Sequence, residues 1–235
     1  MNHISITLSF SLLLAFFACS PKEVTINNPD WANLDRFKEA NATVNLNQIP
    51  DNRVVFIGNS ITEGWLSDST SFFYTKPYIN RGISGQTTPQ MLIRFKQDVI
   101  DLKPAAVVIL AGINDIAGNT GPSTIDMIAD NIQSMAHVAN ANQLKVIISS
   151  VLPADDFPWR PDMKPAPKVQ SLNKKLSAFA AEQGFTYLDY YTSMSTEGGA
   201  MIDHFTNDGV HVTPRGYKHM EALAQKAIDS AISPQ

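Results

Sequence analysis

Two patterns of apolar and polar residues alternate along the chain from Arg53 onward. Short, mostly apolar runs are typical of parallel strands that are buried on both faces. These runs predict strands at 54–57, 78–80, 106–110, 146–148 and 187–188. Longer segments between them carry apolar residues at helical spacing. These segments predict helices at 88–102, 123–141, 168–183 and 213–232, and Ser123 or Thr124 is the predicted cap of the second helix.

A further helix is predicted at 31–41, where Trp31, Leu34 and Phe37 fall on one face. We expect it to pack on the outside of the domain. Strands that alternate with helices imply an α/β domain whose parallel sheet is covered on both faces. We therefore predict a single domain over residues 31–235. In such sheets ligands bind beyond the carboxyl ends of the strands.

An apolar run at 4–18 precedes this domain and is too short to span a bilayer comfortably. It ends at Ala18, and Cys19 follows as the only cysteine of the chain. This arrangement resembles a bacterial lipoprotein signal, whereas an ordinary secretory signal is the alternative. The resemblance implies a signal peptide at 1–18, lipidation at Cys19 and a tether at 19–30. The protein would then lie in the bacterial cell envelope and touch the membrane only through its anchor.

Composition and charge exclude one class of partner. Hydrophobic residues make up 44% and charged residues 17% of the 235, which is ordinary for a globular protein. The formal net charge is -4 and the sequence contains no basic run, whereas binding of phosphate backbones needs clustered lysine and arginine. We therefore expect no nucleic-acid partner. A single cysteine also rules out an intramolecular disulfide.

Four polar groups follow predicted strands or lie in the final loop, at 58–62, 82–87, 111–115 and 208–211. Together they fit acyl transfer. A serine hydroxyl needs a base to remove its proton, and a neutral imidazole can be that base, so Ser60 and His211 are the candidate pair. Asp208 lies three residues upstream of His211 and can orient the ring. The developing oxyanion could be bound by the backbone N–H groups of Ser60 and Gly85 and by the side-chain amide of Asn114.

These groups, in this order, resemble the sequence blocks of SGNH (GDSL-like) hydrolases over residues 53–232. The family's serine, glycine, asparagine and histidine correspond to Ser60, Gly85, Asn114 and His211, and Asp208 matches its Asp-x-x-His block. The resemblance implies a three-layer, flavodoxin-like α/β/α sandwich with a five-stranded parallel sheet, and it implies neither metal nor organic cofactor. Asn59 stands where the family usually has aspartate. We expect catalysis to survive this change, because Asp208 supplies the acid.

For several other polar residues, a structural role is expected rather than a catalytic one. His204 follows Asp203, but adjacent side chains point apart, so His204 is expected at a loop or pocket rim. His137 and His219 fall on predicted helices and are expected to be solvated or packed. Ser84 suits an oxyanion loop better than a nucleophile turn, and Asp115 is expected to cap or brace its loop. No histidine or cysteine cluster has the spacing of metal ligands.

Two loops, at 65–77 and 152–167, are expected to shape the substrate pocket. Trp159 could stack on a sugar and Arg160 could bind a carboxylate or phosphate, although the second loop could equally be a surface lid. No long apolar flap suited to a fatty acyl chain is evident. We therefore predict a serine esterase that removes short acyl groups, acetyl ahead of long chains, from a small-molecule or glycan ester such as an acetylated carbohydrate. Alternatives are a lysophospholipase or thioesterase, an acetylhydrolase of the platelet-activating-factor type, and a non-catalytic glycan-binding lipoprotein. A nucleotide-binding module is disfavoured, because no glycine-rich phosphate loop follows the first strand.

Overall fold

A five-stranded parallel sheet forms the centre of the protein in the computed structural model, which describes residues 30–233. The strands are β1 (Val54–Gly58), β2 (Tyr78–Gly82), β3 (Ala106–Leu110), β4 (Lys145–Ser149) and β5 (Thr186–Leu188). Their spatial order is β2-β1-β3-β4-β5, and every neighbouring pair is parallel. In this order the chain changes direction across the sheet between β1 and β3. Loops diverge at that point and leave a crevice where ligands bind.

The strands form where the sequence is continuously apolar. Every residue of β1 and β3 is buried, because both faces of these central strands are covered. Their register places Val54 beside Ala106 and Gly58 beside Leu110. The carboxyl ends of β1 and β3 therefore lie at the same level, and the residues that follow each strand enter the crevice together.

Eight helices accompany the sheet in the described part of the chain. They are α1 (Lys38–Ala42), α2 (Ser60–Gly64), α3 (Thr88–Asp98), α4 (Ile113–Ile116), α5 (Ile125–Ala141), α6 (Ala166–Gln183), α7 (Tyr191–Met194) and α8 (Pro214–Ile232). Local sequence sets the ends of the long ones. The side chain of Thr124, rather than Ser123, caps α5 by accepting the N–H of Met127. Thr213 caps α8, and α6 ends at Gly184 in the left-handed region.

The helices cover the sheet in two layers. Helices α3, α5 and α6 pack side by side in one layer. Helix α8 contacts β3, β4 and β5 and forms the other layer together with α2. Trp65 stacks on Tyr217 with ring centroids 5.4 Å apart, and the Tyr217 hydroxyl donates to the carbonyl of Ile61 at 2.9 Å. The predicted three-layer α/β/α architecture is confirmed.

The helix predicted at 31–41 is wrong in extent, because residues 30–37 form turns and only α1 is helical. Tertiary contacts take the carbonyls that a helix would use. Gln90 Nε2 donates to the carbonyl of Trp31 at 2.7 Å, and Gln97 Nε2 donates to that of Leu34 at 2.6 Å. The predicted helix at 88–102 is also too long. It ends at Asp98, and a 3₁₀ turn continues at Ile100–Leu102.

The predicted signal peptide, the lipidated Cys19 and nearly all of the tether lie outside the described residues, so they stay predictions. Within 30–233, no helix is long and apolar enough to cross a membrane.

Candidate active site

Ser60, His211 and Asp208 form a continuous chain of hydrogen bonds at the carboxyl edge of the sheet. Ser60 Oγ lies 3.1 Å from His211 Nε2, and His211 Nδ1 lies 2.6 Å from Asp208 Oδ2. Both distances are within the reach needed for proton transfer from a nucleophile to an oriented base. The side chains of His211 and Asp208 are 47% and 39% exposed. These side chains are therefore accessible to a substrate that arrives from solvent.

The loop that carries Asp208 is stabilised by hydrogen bonds within the loop. Asp208 Oδ1 accepts the backbone N–H groups of Val210 at 2.9 Å and of His211 at 2.7 Å. Thr206 Oγ1 donates to the carbonyl of His211 at 2.7 Å and closes the same loop. Burial acts to raise the pKa of Asp208, but hydrogen bonds from the His211 ring and from the two N–H groups outweigh it and hold that pKa below its usual value. The carboxylate is therefore charged at neutral pH and can stabilise an imidazolium.

Asn59, which departs from the family pattern, has a structural role in the nucleophile turn. It is the N-cap of α2, and its Oδ1 accepts the N–H of Ile61 at 3.0 Å. An aspartate could accept the same bond. Because the Asn59 side chain is only 1% exposed, the amide caps the helix without burying a charge. The substitution is compatible with the turn that presents Ser60.

The three candidate oxyanion donors lie on adjoining loops. Neither the Ser60 nor the Gly85 backbone N–H has a protein acceptor among residues 30–233. Asn114 Nδ2 donates one hydrogen to the carbonyl of Gln86 at 3.0 Å, which leaves its second hydrogen available. Gly85 has φ +77, and a Cβ built there would meet nothing within 4 Å. Glycine is thus favoured by the left-handed backbone rather than by crowding within the protein.

Arg94 supports this arrangement and was not anticipated as part of the site. Its side chain is fully buried on α3. The guanidinium donates to Gln86 Oε1 at 2.6 Å, to the Gly58 carbonyl at 3.1 Å and to the Arg81 carbonyl at 2.9 Å, and it pairs with Asp98 at 3.0 Å. It therefore joins the ends of β1 and β2 to the loop of Gly85. The signal in the sequence was an arginine on the apolar face of a helix, between Met91 and Phe95.

The turns at 30–37 hold the Gly85 loop from outside. Gln86 Nε2 donates to the carbonyl of Ala32 at 2.8 Å. The Glu63 carboxylate accepts the Ser84 N–H at 2.8 Å and the Arg36 guanidinium at 3.0 Å. This segment therefore contributes to the shape of the oxyanion loop.

Trp159 and Arg160 lie at the edge of this site. The Trp159 ring stacks on Phe157 at 5.2 Å, and its centroid lies 6.1 Å from that of the His211 ring. It is 44% exposed, so one face remains available. Arg160 extends towards Gly118 in the loop after β3. The structure thus brings the 152–167 loop to the catalytic edge, while the 65–77 loop packs Trp65 and Phe72 into the core.

The alternative histidines have other surroundings. His204 packs against the neighbouring Phe205 ring at 4.1 Å, and His137 packs edge-on against Phe179 at 5.3 Å. His219 Nε2 lies 2.8 Å from Ser193 Oγ and forms a second serine–histidine pair. Among the described residues, no carboxylate pairs with His219. This second pair therefore lacks the orienting acid that His211 has.

Asp115 braces the loop of Asn114, as expected from the sequence. Its carboxylate accepts the Thr88 N–H at 3.0 and 3.1 Å and the Thr88 hydroxyl at 2.6 Å. The side chain is buried, and burial raises its pKa from 3.8 to about 6 in spite of the bonds from Thr88.

Asp115 gives the protein a predicted pH dependence of stability. The folded state binds this proton more tightly than the unfolded state, so stability should fall as pH rises from about 4 to about 6. Asp115→Asn removes the titration but keeps an oxygen acceptor. Thermal unfolding at several pH values should show the melting temperature of the wild type decreasing relative to that of Asp115→Asn across this window. The prediction would be contradicted if the melting temperature of the wild type minus that of Asp115→Asn stayed constant or rose with pH.

Comparison with known proteins gives the class and then the family. The α/β/α fold with this strand order is that of SGNH-type hydrolases, which are esterases and related enzymes. The chain belongs to the GDSL-like lipase/acylhydrolase family, whose sequence profile matches residues 56–219. Within the part of the chain that the structure describes, no group of three or more histidine, cysteine, aspartate or glutamate side chains could hold a metal ion.

Solved structures of related proteins agree with this membership. A GDSL-like lipase from Bacteroides thetaiotaomicron is 49% identical, with 85% of this chain and 98% of that chain covered and a TM-score of 0.81. A protein from Bacteroides fragilis, named as an acylhydrolase, is 48% identical, with 88% and 100% covered and a TM-score of 0.83. The acetyl xylan esterase AlAXEase shares the fold at 16% identity, with 74% and 98% covered and a TM-score of 0.63. No curated protein matches the chain.

Proposed function

We propose that this hydrolase is a serine esterase that removes short acyl groups, above all acetyl, from a carbohydrate. The observation that carries the proposal is the chain of hydrogen bonds from Ser60 Oγ through the His211 ring to Asp208, with distances of 3.1 and 2.6 Å. A non-catalytic binding protein with the same fold would not require this chain of hydrogen bonds. The exported, lipid-anchored location remains a proposal from the N-terminal sequence.

The geometry supports an acyl-enzyme mechanism. Ser60 Oγ attacks the ester carbonyl while His211 Nε2 takes its proton, and Asp208 stabilises the resulting imidazolium. The carbonyl oxygen becomes an oxyanion that the N–H groups of Ser60 and Gly85 and the amide of Asn114 would bind. The imidazolium then gives its proton to the departing alcohol. Water, activated by His211, attacks the acyl-Ser60 ester, releases the carboxylic acid and restores the serine.

Support for a carbohydrate comes from Trp159. An exposed aromatic ring 6.1 Å from the catalytic imidazole offers an apolar face on which a sugar ring can stack while its acyl group reaches Ser60. The name of the acetyl xylan esterase agrees with this substrate class, but its 16% identity carries the fold alone. The proposal therefore rests on the position of Trp159.

The acyl preference and the sugar preference can be measured separately. Wild-type enzyme should hydrolyse p-nitrophenyl acetate faster than the butyrate and much faster than the palmitate. Trp159→Ala should raise KM for an acetylated xylooligosaccharide, measured by released acetate, by about 5-fold, because one stacked ring contributes on the order of 1 kcal/mol. Tyr74→Ala, which removes an exposed aromatic ring from the 65–77 loop, is the control.

Faster cleavage of the palmitate would favour a lysophospholipase or thioesterase and contradict the acetyl preference. An unchanged KM in Trp159→Ala would contradict the stacking role and leave the acyl preference standing.

A further inference from the structure

A cavity of about 420 Å³ lies between the loop that follows Asn114 and the 152–167 loop with the start of α6, and its lining is mixed. Its lining includes the apolar residues Ile116 and Met163 and the cations Arg160 and Lys168. Gly118 and Ser123 belong to the loop that closes the other side. The cavity therefore combines an apolar surface with two cations.

The two segments that line the cavity also reach the catalytic edge, and Asn119, next to Gly118, donates from Nδ2 to the carbonyl of Gly85 at 3.1 Å. On one side Arg160 follows Trp159, whose ring is 6.1 Å from that of His211. On the other side Asp115 follows Asn114, and the N–H of Asn119 donates to the carbonyl of Asn114 at 3.0 Å. The cavity and the candidate catalytic groups therefore share the same two loops.

Within the described part of the chain, the two cations have no anionic partner of their own. Among residues 30–233, neither the Arg160 guanidinium nor the Lys168 ammonium forms an ion pair or a side-chain hydrogen bond, unlike Lys175 with Asp126 or Lys218 with Glu221. The one acid that lines the cavity is Asp115, which is 2% exposed and already accepts from Thr88. The accessible charge in the cavity is therefore positive.

Backbone conformation lets Arg160 lie close to the opposite wall. Gly118 has φ +71, and a Cβ at that position would lie 3.1 Å from Arg160 Nη1. The guanidinium thus rests against the loop backbone, with its planar N–H groups beside the cavity. The amino-terminal turn of α6, which carries Lys168, adds the positive end of a helix dipole on the same side.

We propose that this cavity binds a carboxylate of the substrate, so that the enzyme's substrates are O-acetylated acidic glycans containing a uronic acid. The inference rests on the proposed esterase function. Arginine matches a carboxylate with two parallel N–H donors, and lysine adds a point charge. Trp159 holds the sugar ring whose acetyl group reaches Ser60, and the carboxylate of that same ring enters the cavity beside its apolar side chains.

A matched substrate pair tests the site. Mono-O-acetylated methyl galacturonoside and mono-O-acetylated methyl galactoside differ only in carboxylate against hydroxymethyl. Wild-type kcat/KM, followed by released acetate, should be about 10- to 100-fold higher for the acidic substrate, because charge-assisted bonds carry the difference. Added salt should reduce this ratio. The double variant Arg160→Gln, Lys168→Gln should bring the ratio close to 1, mainly by raising KM for the acidic substrate.

Lys164→Gln is the control, since Lys164 is exposed on the same loop and does not line the cavity. It should leave the ratio as in the wild type. A wild-type ratio near 1, or a double variant that retains the wild-type ratio, would overturn the proposal. A collapsed ratio in Lys164→Gln would also overturn it, because the preference would then come from general charge.

Binding without turnover separates this inference from the esterase function. Calorimetry with the Ser60→Ala variant should show methyl galacturonoside binding at least 10-fold more tightly than methyl galactoside, and the double substitution in that background should abolish the difference. This readout holds whether or not wild-type enzyme cleaves p-nitrophenyl acetate, so loss of one proposal is distinguishable from loss of the other. Tighter binding of glycerol phosphate than of methyl galacturonoside would assign the cavity to a phosphate head group and overturn the inference.

Discussion

Ser60→Ala should lower kcat for p-nitrophenyl acetate by about 10⁴- to 10⁶-fold, the loss typical when the nucleophile of a serine triad is removed. Ser60 Oγ is the hydroxyl that lies 3.1 Å from His211 Nε2, so its removal leaves the base with no nucleophile to activate. The measurement is initial-rate release of p-nitrophenol. Thermal unfolding of the variant should stay close to that of the wild type, because Ser60 is partly exposed and the substitution removes only a hydroxyl.

The second serine–histidine pair provides the control for this experiment. Ser193 Oγ lies 2.8 Å from His219 Nε2, which is shorter than the separation of Ser60 from His211. Ser193→Ala should nevertheless keep wild-type activity, because an imidazole without an orienting carboxylate is a poor base. Equal rates for Ser60→Ala and wild type would contradict the assignment of Ser60 as the nucleophile. A large loss of activity in Ser193→Ala would contradict it as well.

Asp208→Asn should lower kcat by about 10³- to 10⁴-fold while leaving the fold intact. The amide can keep Oδ1 as acceptor for the N–H groups of Val210 and His211. Its Nδ2 then takes the place of Oδ2 and donates to His211 Nδ1. The ring must carry its proton on Nε2 in that case, and it can no longer accept a proton from Ser60. Rates with p-nitrophenyl acetate, together with circular dichroism, measure the effect.

Asp203→Asn is the control for this variant, since Asp203 is an exposed acid directly before His204 on a neighbouring turn. It should retain wild-type kcat. If Asp203→Asn loses as much activity as Asp208→Asn, the orienting acid is not Asp208 alone. If Asp208→Asn stays fully active, the ring is held by some other group.

An element of the fold can be predicted from the sequence when a local pattern of residues determines it. The runs that became β1 and β3 are apolar at every position, and strands of a covered parallel sheet require that pattern. The helix predicted at 31–41 had a local apolar face as well, but the amides of Gln90 and Gln97 bind its carbonyls. Those partners lie about sixty residues away, and no local pattern reveals them.

The candidate site divides in the same way. Asp208 and His211 are three residues apart, and the turn between them joins their side chains and backbone in one loop. Gly85 and Asn114 also followed from motif order. Arg94 was missed because its charge interrupts an apolar helix face, and only the packed structure shows the carbonyls of Gly58 and Arg81 that it binds.

The sequence alone determined the class of fold and the order of its elements, and it predicted the candidate residues for activating a serine, because each depends on periodicity or on short-range spacing. Only the tertiary structure decided that Ser60 and His211, 151 residues apart, meet at 3.1 Å. It also decided that Ser193 lies beside His219, which no carboxylate of residues 30–233 pairs with, and that Arg160 and Lys168 share one cavity. These pairings depend on how the sheet aligns its strand ends, which is a property of packing across the whole domain.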